Sequence, residues 1–66
     1  MIDFSPLHET LKRKDMKISD LRGIIGSSKT VTRINQNKSV RLDTVDKLCV
    51  YLDVPIQDVV RITKER

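Results

Sequence analysis

The sequence predicts a small all-α domain built from five short helices. In several separate stretches, apolar residues recur at intervals of three and four positions, which is the spacing of one buried helix face. Short polar connections or Gly and Pro residues separate these stretches. Because the chain has 66 residues, we expect a single domain over residues 1–66, with a core near the minimum size for an independent fold.

The first predicted helix follows an extended lead-in of residues 1–4, in which Phe4 is expected to enter the core. Ser5 and Pro6 are typical of a helix start, because a serine side chain can accept an early backbone N–H and proline loses nothing at the first helical position. Two leucines four positions apart form the buried face, and the helix is expected to run to about Lys14.

The second predicted helix lies between Lys17 and Gly26, with apolar residues at positions 18, 21, 24 and 25. Lys17 is a poor N-cap, and Asp20 in the first turn compensates in part through the helix dipole. Gly26 is expected to end the helix at a positive φ. Gly23 costs the helix about 1 kcal/mol relative to alanine, but a residue this small leaves room for another helix.

The third predicted helix spans about residues 28–35, with Ser27 as its N-cap. Its apolar stripe is narrow and consists of Val31 and Ile34, which we expect in the core. Because residues 30–32 are β-branched and form helices weakly, this helix should be short and should depend on its neighbours. A polar loop over residues 35–39 follows it.

The fourth predicted helix covers Leu42 to about Asp53 and carries a clear apolar stripe. Cys49 lies on that stripe, so we interpret it as a small buried hydrophobe rather than as a reactive thiol.

A fifth helix is predicted after the break at Pro55, from Ile56 to about Ile62. The valine pair inside it, Val59-Val60, fits a strand equally well, because β-branched residues favour strands. Both alternatives stay open at this point.

The positive charge is concentrated in the middle third of the chain. The net charge is +4, yet residues 1–20 are balanced and residues 42–66 carry a net charge of −1. Residues 21–41 contain five basic residues and no acidic one. A basic segment on a balanced scaffold indicates a surface that binds a polyanion, although a solvated face is the alternative.

Composition argues against several other classes of protein. The single cysteine allows no intrachain disulfide and no cysteine metal cluster, so we expect no metal and no cofactor. Without an apolar run long enough for a signal peptide or a membrane span, we expect a cytoplasmic chain that is complete from Met1. His8 and Cys49 lie on different predicted helices and no phosphate-binding glycine pattern occurs, so we expect no enzyme activity.

The order of these features resembles the phage-repressor and Cro (XRE-type) helix-turn-helix family. The likeness extends from Leu7 to Val60. The segments that carry it are Asp20-Leu21 in helix 2, Gly26-Ser27-Ser28 at the turn, Thr30-Val31-Thr32-Arg33-Ile34 in helix 3, and Leu42 to Cys49 followed by Leu52-Asp53-Val54. The resemblance implies a five-helix, lambda-repressor-like DNA-binding domain in which helices 2 and 3 form the helix-turn-helix.

The resemblance also implies two kinds of contact with double-stranded DNA. Helix 3 would contact base edges in the major groove, and the surrounding residues would hold phosphates. The expected base contacts are Ser28, Lys29, Thr32 and Arg33. The expected phosphate contacts are Lys17, Thr30, Asn35, Asn37, Lys38 and Ser39. Ser27 belongs to the same site, because a register shift of one residue would exchange the roles of Ser27 and Ser28.

Two functions follow from these observations. The first is a sequence-specific transcriptional regulator, expected to be a repressor of a few genes or of its own promoter, that binds DNA as a homodimer through Val59, Val60 and Ile62. The second is an antitoxin-like module that binds another protein through the apolar surface of helix 5. The absence of acidic residues from residues 21–41 favours DNA binding.

Overall fold

A computed structural model describes residues 1–26 and 28–64. Within these residues the chain forms four α-helices and a two-stranded sheet. The elements in chain order are β1 Ile2–Asp3, α1 Ser5–Arg13, α2 Arg22–Ile25, α3 Ser28–Asn35, α4 Leu42–Leu52 and β2 Arg61–Ile62. A 3-10 turn, Ile18–Leu21, leads directly into α2, and a second one, Ile56–Asp58, precedes β2.

The prediction of a fifth helix is wrong. The described residues after α4 form only the 3-10 turn Ile56–Asp58 before the chain becomes extended. Strand β2 then pairs antiparallel with β1, so that Ile2 faces Ile62 and Asp3 faces Arg61. The physical reason is that the lead-in of the chain offers Arg61 and Ile62 a partner strand, and the β-branched Ile62 suits extended backbone. The predicted extended conformation of that lead-in is confirmed.

The core consists of nine buried apolar side chains drawn from every part of the domain. Val59, which we predicted on an outer surface, is fully buried among them. Helix α2 packs against both α3 and α4, which fixes α3 to the scaffold. The nine residues are Phe4, Leu7, Leu11, Leu21, Ile34, Val45, Leu48, Leu52 and Val59.

The start of α1 differs from its prediction, because Ser5 is the first helical residue and not the cap. The cap position is Phe4, whose side chain makes no capping bond, and the preceding Asp3 supplies an acceptor instead: its Oδ1 accepts the backbone N–H of Ser5 at 2.9 Å and the Ser5 hydroxyl at 2.7 Å. The other oxygen of Asp3, Oδ2, accepts a hydrogen bond from the Nε–H of Arg61 at 2.8 Å across the sheet. One carboxylate therefore satisfies a free N–H of α1 and joins the two strands.

These bonds predict a pH dependence of stability. The hydrogen bonds from Ser5 and then the Arg61 side chain lower the pKa of Asp3 from 3.8 to about 2. Because the pKa is lower in the folded state, Asp3 stabilises the fold above the unfolded value, and this contribution is lost as the pH falls through about 2. In urea unfolding, wild type should lose more stability than Asp3→Asn between about pH 4 and about pH 2. Parallel losses in the two proteins would contradict this account.

The two glycines give a matched pair of stability predictions. A Cβ on either residue would meet no atom within 4 Å, so the expected close approach of a helix at Gly23 does not occur. Gly26, in contrast, has φ 78°, as predicted. We expect Gly23→Ala to raise the free energy of unfolding by about 0.4–1 kcal/mol and Gly26→Ala to lower it by about 1–2 kcal/mol. Chemical denaturation measures both, and a stabilising Gly26→Ala would contradict the left-handed turn.

Candidate nucleic-acid interface

Helix α3 has one apolar and one polar face. Ile34 is fully buried, as predicted, whereas Val31, which was also predicted in the core, is only half-buried, as is Thr30. Successive residues of an α-helix are rotated by about 100°, so the opposite face is formed by a different set. The residues of that face, all of them exposed, are Ser28, Lys29, Thr32, Arg33, Asn35 and Gln36. Ser27 lies outside the described residues.

A shallow depression of about 250 Å³ lies on this polar face. It is lined by Lys29, Thr32, Arg33, Gln36 and Lys38, and we call it the cationic depression. Three of its five residues are cations. The depression thus brings together four of the expected DNA contacts, namely Lys29, Thr32, Arg33 and Lys38.

No acidic side chain compensates these cations among the residues that the structure describes. The ion pairs found there join Arg13 to Asp58 at 3.8 Å, Arg41 to Asp43 at 3.2 Å and Arg61 to Asp3 at 2.8 Å. Arg41, although part of the basic middle segment, is thus balanced by Asp43. Three cations of the basic segment, Lys29, Arg33 and Lys38, therefore lie together at the cationic depression without a paired acid in the described part of the chain.

Hydrogen bonds already engage some of the expected contact residues. The Thr32 hydroxyl donates to the carbonyl of Ser28 at 3.1 Å, so its oxygen remains free to accept from a base edge. The Asn37 Oδ1 accepts the backbone N–H of Phe4 at 2.8 Å. At the entrance to the helix-turn-helix, the Lys17 N–H donates to Asp20 at 2.9 Å, while the Lys17 side chain is exposed.

The expected phosphate contacts do not all lie together. Lys38 lines the cationic depression, but its neighbour Ser39 lines a separate apolar groove near β1. Thr30 is half-buried against the scaffold, and Lys17 lies at the other end of the helix-turn-helix. These residues could meet only a ligand that extends across several elements, as a DNA backbone does.

Gln36 is the residue of the cationic depression that the sequence analysis missed. Its backbone N–H donates to the carbonyl of Thr32 at 3.0 Å, which continues the helical pattern beyond Asn35. The signal was present, because Gln36 is seven residues after Lys29 and three after Arg33, which is the spacing of one helix face. The sequence analysis places Gln36 only in the polar loop over residues 35–39.

A buried side chain anchors each of the two segments on either side of the turn between α2 and α3. The N–H of Gly26 donates to the carbonyl of Arg22 at 2.7 Å and closes α2. Just before α2, Leu21 is fully buried and anchors the first half of the unit. The second half is anchored by Ile34, so each of the two segments has its own buried side chain.

Comparison with known proteins identifies the family of the chain. A family model described as the Cro/C1-type HTH DNA-binding domain matches residues 6–65. The chain belongs to this family. As a Cro/C1-type HTH domain it binds DNA. The suspected family is therefore confirmed.

A solved structure of the same kind is similar over almost the whole domain. It is the crystal structure of the transcriptional regulator VanUg, with a TM-score of 0.90 and 28% sequence identity. The match covers 97% of this chain and 87% of the other. No curated protein matches the sequence significantly.

The described residues contain no metal-binding group, no membrane-spanning helix and no activated thiol. No three His, Cys, Asp or Glu side chains there are grouped to hold a metal ion. No helix in the described part of the chain is long and apolar enough to span a bilayer. Burial, and secondarily Asp46, raises the pKa of the half-buried Cys49, which therefore remains a thiol at neutral pH.

Proposed function

We propose that this Cro/C1-type domain is a sequence-specific transcriptional regulator that inserts the polar face of α3 into the major groove of double-stranded DNA. The observation that carries the proposal is the cationic depression, which no acidic side chain balances among the described residues. The exposed Lys29 and Arg33 line this depression, and in the proposed complex both would reach base edges, where Arg33 could donate two hydrogen bonds to a guanine. Ser28 and Thr32 supply shorter donors and acceptors on the same face.

We propose that a second set of residues holds the DNA backbone. Lys38 at the end of α3 and Lys17 at the start of the helix-turn-helix would fix the register of the domain on the duplex. The remaining proposed backbone contacts are Thr30, Asn35 and Ser39, and Ser27 stays in the proposed site only as the alternative to Ser28. Such contacts supply affinity that depends on salt but not on sequence.

The proposed regulatory effect is repression. A domain bound across a promoter occupies the DNA that polymerase needs. By occupying a promoter in the cytoplasm, it would compete with polymerase for DNA. We propose that the whole of residues 1–66 acts as this one domain.

We further propose that two copies bind together, because one such domain reads only a few base pairs. The predicted dimer surface requires correction: the described residues after α4 form no fifth helix, and Val59 belongs to the core. Val60 and Ile62 instead line the apolar groove, of about 570 Å³, beside Ser39. Ile62 is 74% exposed and Leu42 is 78% exposed at its rim, and Ile56 is also exposed.

A second copy of this chain is the occupant that charge favours for the apolar groove. The charged residues near the groove are internally balanced, since Arg61 pairs with Asp3 and Arg41 with Asp43. Two such surfaces can meet without net repulsion, whereas two cationic depressions would repel. The apolar rim residues provide the area that leaves water on association.

Leu42→Glu should separate the two copies. Leu42 is the first residue of α4, where an acidic side chain suits the helix dipole, so the variant should fold. Val50→Glu is the matched control, because Val50 is 74% exposed on the same helix but lies outside the apolar groove. Sedimentation velocity should give dimers for wild type and Val50→Glu and monomers for Leu42→Glu. A wild type that stays monomeric at every concentration would contradict the dimer and favour an antitoxin-like role, in which another protein fills the groove.

Fluorescence anisotropy with a labelled duplex tests the DNA-binding proposal itself. The logarithm of the binding constant should fall linearly with the logarithm of salt concentration, by about 0.9 for each phosphate contacted. Binding that does not depend on salt, or no binding at low salt, would contradict the proposal.

A further inference from the structure

Asn37 closes helix α3 with its backbone. Its φ is 57°, in the left-handed region, and its N–H donates to the carbonyl of Ile34 at 3.1 Å. The N–H of Lys38 donates to the carbonyl of Arg33 at 2.8 Å. This pair of bonds is a Schellman motif, which a glycine would form with less strain. The backbone alone therefore does not account for an asparagine here.

The side chain of Asn37 makes a second connection, which reaches across the domain. Its Oδ1 accepts the backbone N–H of Phe4 at 2.8 Å, and the two residues are 33 positions apart. Phe4 precedes α1, so its N–H is one of the donors that a helix start leaves without an intrahelical partner. The Phe4 side chain is 1% exposed, which makes this end of α1 a fixed point of the core.

We infer that Asn37 is a positioning residue that holds the end of α3 and the Lys38 loop against the start of α1. The inference rests on the proposed DNA binding and revises the expected phosphate contact of Asn37, whose oxygen is turned toward Phe4. Helix α3 has one fully buried side chain, Ile34, so a second attachment at its end restricts how the helix can tilt. Arg33 and Lys38 on the cationic depression are thereby held in place before DNA arrives.

The test compares Asn37→Gly with Asn37→Asp. Glycine tolerates the left-handed backbone but deletes the bond to Phe4, so the variant should fold. Aspartate keeps an acceptor oxygen for the Phe4 N–H and also tolerates this backbone. The measurements are hydrogen exchange of the Phe4 amide, DNA affinity, and the dependence of that affinity on salt. Lys38→Ala serves as the reference for loss of a phosphate contact.

In Asn37→Gly, the Phe4 amide should exchange faster and DNA affinity should fall, each by about three- to tenfold. The salt dependence should stay as in wild type, whereas Lys38→Ala should lower its slope by about one. Asn37→Asp should retain slow exchange of the Phe4 amide.

Three results would overturn the inference: a salt slope for Asn37→Gly that falls as in Lys38→Ala, unchanged DNA affinity, or unchanged exchange of the Phe4 amide. Failure of the proposed function looks different, because wild type itself would then show no salt-dependent binding of DNA.

Discussion

Arg33→Ala is expected to weaken binding to the preferred DNA sequence by about 1–3 kcal/mol and to reduce the preference for that sequence over others. The reason is that Arg33 is exposed on the polar face of α3, beside Lys29, and forms no ion pair in the described part of the chain. Its planar guanidinium can make two parallel bonds to a base edge, which a truncated side chain cannot replace. Competition binding with preferred and scrambled duplexes measures both effects.

Lys38→Ala is the matched control for Arg33. Lys38 lines the same cationic depression but lies in the loop after α3, where a phosphate contact is expected. This variant should weaken binding to preferred and scrambled duplexes to a similar degree. If Arg33→Ala also weakens both duplexes equally, Arg33 contacts phosphate and base reading must rest on other residues of α3.

Ile34→Ala is expected to lower the free energy of unfolding by about 2–5 kcal/mol. Ile34 is 0% exposed and is the fully buried side chain of α3, so its truncation leaves a cavity between that helix and the core. In a domain this small, such a loss is a large fraction of the total stability. Urea unfolding measures it, and DNA binding should disappear under conditions in which the variant unfolds.

Val31→Ala is the comparison for Ile34, because Val31 is on the same helix but only half-buried. It should cost clearly less than Ile34→Ala, since fewer atoms are removed from a less enclosed place. Equal costs for the two variants would contradict the packing of α3 described above.

The helices that could be predicted from the sequence are those whose signals are local. Val45, Leu48 and Leu52 follow one helical stripe, and all three are buried in α4 as expected. The positive φ of Gly26 was predicted for the same kind of reason, because a glycine after an apolar helical pattern is a local signal.

The features that could not be predicted depend on residues distant in sequence. Strand β2 exists because β1, about sixty positions earlier, is available to pair with it, and the short pattern around Val59 contains no information about that partner. Val59 was placed on a dimer surface for this reason, whereas it lies in the core. The bond from Phe4 to Asn37 is equally non-local.

The expected DNA contacts also divide into those that local spacing predicts and those that it does not. Helical spacing correctly separated the exposed Lys29 and Arg33 from the buried Ile34. The same spacing, extended by one residue beyond Asn35, places Gln36 on the exposed face as well. No spacing rule could have shown that Ser39 faces the apolar groove rather than the cationic depression, because a loop has no fixed period.

Selection of the tightest-bound sequences from a random duplex library tests the central claim most directly. If α3 reads base edges in the major groove, a defined sequence should be enriched, and if two copies bind, it should be a palindrome with half-sites about one helical turn apart. Arg33→Ala should change which bases are enriched at one position of each half-site. Recovery of unenriched, random sequence by a folded wild-type protein would contradict sequence-specific reading by this domain.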